Sequence, residues 1–344
     1  MAFSDLIEKL GDCKNILIMT HDHPDPDGIA SAAALQYILR DLLKARVKLA
    51  YSGIIGRAEN RAMINNLKIK LTPLEKFDMT RERCFILVDT QPGTGNNSIP
   101  DNVIPVAVID HHRTRKRTSK SPFYDVRDKY GASSTIVAEY LFESGLPVRS
   151  NIATALIYGI TSETQDLGRK AIQADIDAYF RLFPRANKKL LSQIERQRVS
   201  REYFKMLGKA IENAYVYRNA ICSCMGEVPF PDIIPQMADL LIHLERMTWA
   251  IALGFFGDRL ILSIRTTNTK AHAGKLAEKL VRGVDGTAGG HDMLAGGQVR
   301  LALDERERVQ GAILKKFMKL IGYAEFKEFS SLSPLVPSGK GDKV

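Results

Sequence analysis

Short apolar runs alternate with helix-like stretches through the first half of the chain, and this alternation restricts the fold more than any other feature. Runs rich in branched apolar side chains, typical of buried strands, lie at 15–20, 46–52, 83–90 and 104–112. Stretches long enough for helices lie at 28–43, 57–67, 132–145 and 151–163. Strands that alternate with helices build parallel sheets. We therefore predict the α/β fold class, with a parallel sheet covered by helices on both faces.

The pattern changes near Pro184, and this change divides the chain. A polar helical stretch without strand-like runs predicts a linker helix over 185–214. Strand-like and helix-like segments beyond it predict a second, smaller α/β domain over 215–332, after a first domain over 1–184. The last residues, 333–344, are rich in Pro, Gly, Ser and charge, which predicts a disordered tail.

The composition is that of a globular protein without a membrane segment or a disulfide framework. The longest apolar runs, such as 249–256, are too short to span a bilayer, so we expect a cytoplasmic protein without a membrane segment. Four cysteines are too few for a disulfide framework, and we expect reduced thiols in or near the core. The net charge of +10, from 49 Lys plus Arg against 39 Asp plus Glu, favours polyanionic partners, although a solvated basic surface accounts for it equally well.

The segment HDHPDPDG, at 21–28, follows the first predicted strand and precedes the first predicted helix. Its prolines favour extended conformations at His23 and Asp25, and alternate side chains of an extended chain point the same way. We therefore expect four potential metal ligands to lie in phase, namely His21, His23, Asp25 and Asp27. Open α/β sheets bind their ligands at this position, beyond the carboxyl ends of the strands.

Two further predicted strands end in ligand-type side chains. One ends at Asp89, and the other ends at Asp110, His111 and His112. Carboxylates crowded into one crevice resist ionisation unless cations neutralise them, and imidazole with carboxylate suits Mn²⁺ or Mg²⁺. A single Asp at a strand end is usually a turn or cap residue, but three such segments in succession predict two divalent ions that share a bridging carboxylate.

A fourth segment, at 158–168, ends a predicted helix with Glu163 and Asp166. Either carboxylate could complete the coordination of the second ion. A solvated helix end is equally consistent with their spacing.

These four motifs, HxxPDxDG, VDT, DHH and GI-x-x-acid-T, resemble those of the DHH phosphoesterase superfamily, which includes RecJ-type exonucleases, manganese pyrophosphatases and nanoRNases. The resemblance covers residues 15 to about 300. It implies that one ion is held by His21, Asp25 and Asp89. It implies that the other ion is held by Asp27, Asp89, His111 and the acid of the fourth motif.

The same resemblance assigns catalytic roles around these ions. Asp89 bridges the ions, His112 contacts the scissile phosphate, and Asp110 orients the histidine pair from behind. Most relatives carry Asp at the position of the fourth motif where this chain has Glu163, and this position makes Glu163 the favoured ligand. Because Glu is longer than Asp by one methylene, Asp166 is the alternative. His23 occupies a variable position of the family and is expected beside the ligands rather than among them.

A basic run, RTRKRTSK at 113–120, follows the histidine pair directly. Its cations, beginning with Arg113, could guide polyanions toward the metal site. A solubilising surface loop is the alternative interpretation.

The second domain carries a further part of the resemblance. The segment TAGGHDMLAGG, at 287–297, is similar to the glycine-rich element of the DHHA1 domain. This similarity implies that Gly289 and Gly290 allow close approach of a ligand and that His291 reaches a phosphate. Arg265, at the end of a predicted strand, would grip phosphate with its planar guanidinium. The active site would then lie in the cleft between the domains.

The resemblance is strongest to the nanoRNase and phosphoadenosine-phosphatase branch. It implies hydrolysis of very short oligoribonucleotides to mononucleotides, with 3′-phosphoadenosine 5′-phosphate as a further substrate. Two divalent ions are expected, with Mn²⁺ the first choice and Mg²⁺ or Co²⁺ as alternatives, and a homodimer is one expected assembly. Alternatives are a phosphodiesterase for cyclic or linear dinucleotides and an exopolyphosphatase or pyrophosphatase. A basic nucleic-acid-binding protein with a decayed site is the non-enzymatic alternative, and the complete set of motifs argues against it.

Overall fold

The computed structural model describes residues 2–79, 84–290, 292–323 and 330–331. The chain divides into two compact units, Met1–Arg198 and Val199–Val344. None of the helices in these described ranges is long and apolar enough to cross a membrane. The predicted tail, 333–344, lies outside the described residues.

The first unit is built on a six-stranded parallel sheet. Its strands are β1 Asn15–Met19, β2 Arg46–Tyr51, β3 Leu71–Pro73, β4 Cys84–Val88, β5 Ala107–Asp110 and β6 Phe123–Val126. Its helices are α1 Ala2–Leu10, α2 Pro26–Leu43, α3 Ala58–Leu67, α4 Ser133–Glu143, α5 Ser150–Thr164, α6 Gln173–Leu182 and α7 Lys188–Glu195. The predicted parallel sheet is confirmed, as are its four predicted strands and four predicted helices.

The order of the strands, β3-β2-β1-β4-β5-β6, sets the position of the functional site. The chain adds strands to one side of β1 and then to the other side, beginning with β4, which pairs directly with β1. Ligands of open α/β sheets bind beyond the carboxyl ends of the two strands where the order reverses. In this sheet those two ends lead into His21 and Asp89.

The helices gather on one face of this sheet, whereas the alternation predicts them on both. Ile16, Ile18, Ile86 and Val88 pack into one large core with side chains from the helices. The opposite side chains of β1, β4 and β5 pack with residues of a 3₁₀ turn at 74–76 and of loops. The difference arises because no α-helix occurs in the described links between β4, β5 and β6. The connections from β4 to β5 and from β5 to β6 cross that face of the sheet, and they are loops where helices were expected.

The predicted single linker helix over 185–214 is wrong. Two helices occupy this stretch, α7 and α8 Arg201–Glu212, and they separate at 196–200. Leu191 and Ile194 of α7 are buried in the core of the first unit, whereas Ala210 of α8 is buried in a core of the second. Each of these polar helices therefore lies on the surface of its own unit and buries one apolar face there.

The second unit contains a seven-stranded mixed sheet in the order β11-β12-β10-β9-β8-β7-β13. Only β8 and β9 pair in parallel among these strands. The strands are β7 Ala214–Tyr217, β8 Ala220–Glu227, β9 Trp249–Phe256, β10 Arg259–Thr266, β11 Gly286–Gly290, β12 Leu294–Arg300 and β13 Ser330–Ser331. The remaining helices are α9 Ile233–Leu241, α10 Ala273–Val281 and α11 Arg306–Leu320. The predicted smaller α/β unit is therefore confirmed.

The cysteines correct another expectation. Cys13 and Cys84 form a disulfide, although all four cysteines were expected to be thiols. Cys13 precedes β1 and Cys84 begins β4, and these strands are neighbours, so the sheet brings together residues that lie 71 positions apart. Cys222 and Cys224 are the free thiols, and burial raises the pKa of Cys224 to about 11.

The packing of α5 against α2 and α4 predicts a steric effect at Gly159. A Cβ atom at Gly159 would overlap Ser134 Oγ and lie 3.0 Å from Ala30 Cβ. We expect Gly159→Ala to lower the free energy of unfolding by about 1–3 kcal/mol, because overpacking exceeds the helical preference for Ala. Gly208→Ala in α8, where a Cβ meets open space, is the matched control and should be neutral or stabilising. Urea denaturation checks both, and equal stability of Gly159→Ala and wild type would contradict this packing.

Candidate metal centre

Asp89 lies between two imidazoles at the carboxyl edge of the first sheet. It directly follows β4, and its side chain is buried. Asp89 Oδ2 lies 3.6 Å from His21 Nε2, and Asp89 Oδ1 lies 3.6 Å from His111 Nε2. The two oxygens of one carboxylate therefore face two different histidines, which is the geometry of a bridging ligand.

Two further carboxylates come from the start of α2. Asp25 is the N-cap residue of this helix, and its Oδ1 lies 3.6 Å from His21 Nε2. Asp27 lies in the first turn, and its Oδ2 lies 3.8 Å from His111 Nε2. Two atoms that each lie about 2.1 Å from one ion are at most about 4.2 Å apart. The distances around Asp89 therefore fit two ions, one on the His21 side and one on the His111 side.

Backbone carbonyls set the tautomers of these two histidines. His21 Nδ1 lies 2.8 Å from the carbonyl oxygen of Asp22, and His111 Nδ1 lies 3.2 Å from that of Tyr130. A carbonyl only accepts, so each Nδ1 donates its proton. The Nε2 atoms then face the carboxylates, as metal-ligating histidines require.

The start of α4 holds the carboxylates in place. The backbone N–H groups of Ser133 and Ser134 donate to the two oxygens of Asp27, each at 2.7 Å, and Ser133 Oγ donates to Asp89 Oδ1 at 2.9 Å. A helix N-terminus stabilises negative charge. Sequence reasoning did not identify these serines, because a Ser at a helix start is most often an ordinary cap residue.

Asp110 is hydrogen-bonded to His112, and its expected role in orienting both histidines stays a prediction. Its Oδ1 accepts a hydrogen bond from His112 Nδ1 at 2.8 Å. Its Oδ2 accepts from Gln91 Nε2 at 2.6 Å. Burial lowers the pKa of His112, but Asp110 outweighs this effect and raises it, which favours an imidazolium that donates from both nitrogens. Gln91 is fully buried and was not predicted from the sequence.

Crowding perturbs the acids of this cluster. Burial and the neighbouring Asp25 raise the pKa of Asp27 to about 7. Burial, Asp27 and Asp25 raise the pKa of Asp89 well above its ordinary value. Burial lowers the pKa of His21, but Asp25 outweighs it and raises the pKa to about 9. Buried carboxylates that repel one another in this way are suited to binding cations, which would restore their ionised forms.

Of the two downstream acids, Glu163 belongs to the cluster. It lies in the last turn of α5, and burial, Asp25 and Asp27 raise its pKa to about 8. Its Oε1 accepts from Arg169 Nη2 at 3.2 Å, and the same nitrogen donates to the Glu163 carbonyl at 2.9 Å. Asp166 is exposed in a left-handed turn, with φ of 55°. The electrostatic influence of Asp25 and Asp27 on Glu163 favours it over Asp166 as the fourth acid, and its role as a ligand stays a prediction.

The expected extended conformation of 21–28 is wrong at His23 and Asp27. His23 is left-handed, with φ of 56°, and its exposed ring accepts a hydrogen bond from the Ile54 N–H at 3.0 Å. Asp27 is helical because α2 begins at Pro26, a residue that favours the first helical position. His23 therefore lies outside the ligand group. Arg113 is exposed on the loop that follows His112.

Arg265 and Gly290, two of the candidates in the second unit, contact other residues of that unit. Arg265, in β10, donates from Nε to Asp239 and from Nη1 to Ser263 Oγ, the latter at 2.8 Å. Gly290, with φ of 149°, allows close approach of β12, whereas Gly289 has open space where a Cβ would lie. His291 lies outside the described residues. Contact of these residues with a substrate stays a prediction.

Comparisons with known proteins agree with this division. Residues 15–160 match the model of the DHH family, N-terminal domain, and residues 218–320 match that of the DHHA1 domain. An uncharacterized protein of Methanocaldococcus jannaschii is 33% identical over 320 residues, which are 90% of this chain and 65% of that protein. A protein of Brevibacillus brevis named probable manganese-dependent inorganic pyrophosphatase is 30% identical over 149 residues, which are 43% of this chain and 47% of that protein. The chain thus spans only part of either relative's length.

Among solved structures, an exopolyphosphatase-related protein from Bacteroides fragilis is similar in fold. Its TM-score is 0.73 at 14% identity, and the similarity covers 93% of this chain and 97% of that one. The matched family models cover both the sheet that carries the metal-ligand cluster and most of the second unit. The chain therefore belongs to the DHH superfamily, with a DHH domain followed by a DHHA1 domain.

Proposed function

We propose that this protein is a two-metal phosphoesterase. The observation that carries the proposal is Asp89, whose two carboxylate oxygens face His21 and His111 at equal distances of 3.6 Å. One ion is assigned to His21, Asp25 and Asp89. The other is assigned to Asp27, Asp89, His111 and Glu163. Manganese is the first choice, because imidazole with carboxylate suits it and the Brevibacillus relative is named as manganese-dependent.

The chain's own residues prepare the reaction. When bound, the two ions supply a water of lowered pKa as the nucleophile and neutralise charge on the phosphoryl oxygens. Ser133 and Ser134 hold the acids so that the ligands need little rearrangement. His112, oriented by Asp110, donates a hydrogen bond to a phosphoryl oxygen.

We infer that the substrates are very short oligoribonucleotides, which are cleaved to mononucleotides, with 3′-phosphoadenosine 5′-phosphate as a further substrate. Similarity to the pyrophosphatase relative covers only 43% of the chain, and substrate class depends on the second unit as well. The glycine-rich segment of the DHHA1 domain supports a nucleotide substrate rather than pyrophosphate, for which a dense cluster of Lys and Arg would be expected. A homodimer stays a prediction.

Loss of the bridging carboxylate tests the metal assignment. Asp89→Asn should reduce tight Mn²⁺ binding from two ions per chain to one or none, as measured by isothermal titration calorimetry. Turnover should fall at least about 100-fold, because the shared ligand carries charge for both ions. Asp41→Asn is the control, since Asp41 forms a surface ion pair with Arg149. Normal metal stoichiometry in Asp89→Asn would contradict the assignment.

A paired substitution tests the fourth acid. Glu163→Gln should weaken binding of one Mn²⁺ by about 10–100-fold, by analogy with the loss of groups that support a metal site. Asp166→Asn removes the same charge three residues away and should leave the affinity unchanged. The reverse pattern in calorimetric titrations would assign the ligand to Asp166.

A substrate panel tests the activity. Purified protein with Mn²⁺ is incubated with a dinucleotide, longer oligoribonucleotides, 3′-phosphoadenosine 5′-phosphate, pyrophosphate and a cyclic dinucleotide, and the products are resolved by chromatography. We expect a higher kcat/KM on short linear oligoribonucleotides than on pyrophosphate or the cyclic dinucleotide. Faster hydrolysis of pyrophosphate or of the cyclic dinucleotide would replace the proposed substrate class.

A further inference from the structure

The loop that follows His112 presents cations without counter-charges. Arg113, Arg115 and Lys116 are exposed, and within the described ranges none of them forms an ion pair. Arg117 of the same loop differs, because its Nη1 lies 2.6 Å from Asp101 Oδ1. Three of the four cations at 113–117 are therefore available to an anion from outside the chain.

A single buried side chain fixes the backbone of this loop. Gln91 Oε1 accepts from the Arg115 N–H at 2.8 Å and from Thr118 Oγ1 at 2.7 Å. Gln91 Nε2 donates to the Arg113 carbonyl at 3.2 Å. Runs of like charge usually repel one another and remain disordered. Here the buried amide holds the run in one conformation at three points.

The same amide also connects the loop to the reaction centre. Gln91 Nε2 donates to Asp110 Oδ2, and Asp110 in turn holds His112. The backbone of Gln91 is itself fixed, because its carbonyl accepts from Thr94 Oγ1 at 2.8 Å and from Asn97 Nδ2 at 2.9 Å. The loop backbone therefore has a defined position relative to the histidine assigned to the scissile phosphate.

We propose that Arg113, Arg115 and Lys116 bind the phosphates of the substrate that flank the cleaved one. The inference rests on the proposed function and deepens it. Guanidinium groups bind phosphate oxygens in pairs, and an ammonium adds a point charge. The preferred substrate is then a chain of several phosphates, an oligoribonucleotide, rather than an isolated phosphate ester.

The test is the triple variant Arg113→Gln, Arg115→Gln and Lys116→Gln. The metal ligands and His112 stay intact, so kcat and KM for bis(p-nitrophenyl) phosphate, which carries one phosphate, should not change. KM for a pentaribonucleotide should rise at least about tenfold. The dependence of this KM on salt should also weaken. The slope of log KM against log salt concentration should fall by about 2, since each phosphate contact to a single strand contributes about 0.7.

A second triple variant controls for the change in net charge. Lys14, Arg46 and Lys70 are exposed at or just before the starts of β1, β2 and β3, at the opposite edge of the sheet from the site. Replacing these three with Gln removes the same charge. Arg117→Gln is a further control within the loop, because Arg117 is paired with Asp101. Both controls should leave KM for the pentaribonucleotide within about twofold, because the first set is distant from the proposed phosphate sites and Arg117 is already neutralised by Asp101.

The outcomes separate this inference from the proposed function. An active wild type with unchanged KM and salt slope in the loop variant overturns the inference, and so does an equal effect of the opposite-edge control. A rise in KM for tripolyphosphate without one for the pentaribonucleotide overturns the assignment to oligoribonucleotides. A wild type that hydrolyses neither bis(p-nitrophenyl) phosphate nor any oligoribonucleotide overturns the proposed function instead.

Discussion

The site depends on the repulsion among buried carboxylates. Asp27, Asp89 and Glu163 lie close enough, in poor contact with water, that the pKa of each is raised. The repulsion among such carboxylates is relieved either when some of them are protonated or when cations bind between them. The surrounding structure favours cations, because the start of α4 donates to Asp27 and the two imidazoles present Nε2 toward the carboxylates. Divalent ions held by these residues would relieve the repulsion without loss of ionisation.

The order of strands in the parallel sheet is enough to bring the metal-ligand cluster together. Because β1 and β4 are neighbours at the point where the strand order reverses, His21 and Asp89 meet without any long connection. The third strand, β5, adds His111 from the other side of β4. Asp89 has a left-handed backbone, with φ of 60°, which is uncommon for a residue other than Gly. Conformations of this kind persist where the surrounding structure imposes them, and they concentrate at functional sites.

The sequence predicted the strands, the helices and the ligand-type residues at strand ends, but it did not predict contacts between side chains of different segments. Strand ends carry a local signal, so the amino-acid pattern alone identifies His21, Asp89 and His111 as neighbours. The carbonyl of Tyr130 and the hydroxyl of Ser133 have no such signal, since they reach the site from other parts of the chain. The amide of Gln91 lies only two residues after Asp89, but its partners on the next strand and loop are not evident from the sequence. The Cys13–Cys84 disulfide was missed for the same reason. The predicted extended conformation of His23 was wrong because the proline rule describes a preference, and a hydrogen bond to Ile54, 31 residues away, accompanies the left-handed conformation instead.

A metal cluster of the proposed kind could not by itself select the substrate, because every phosphate ester and anhydride shares the phosphorus on which it would act. Relatives matched over less than half of the chain include a protein named as a probable pyrophosphatase, so selectivity would have to come from groups that surround the cluster. Gln91 is informative in this respect. A loop that served only solubility would need no buried amide to fix its backbone, and burial of an amide is unfavourable unless its hydrogen bonds are satisfied. Here the bonds made by Gln91 link His112 to the cations that follow it, so the reacting phosphate and its neighbours along the substrate would be recognised by one connected network.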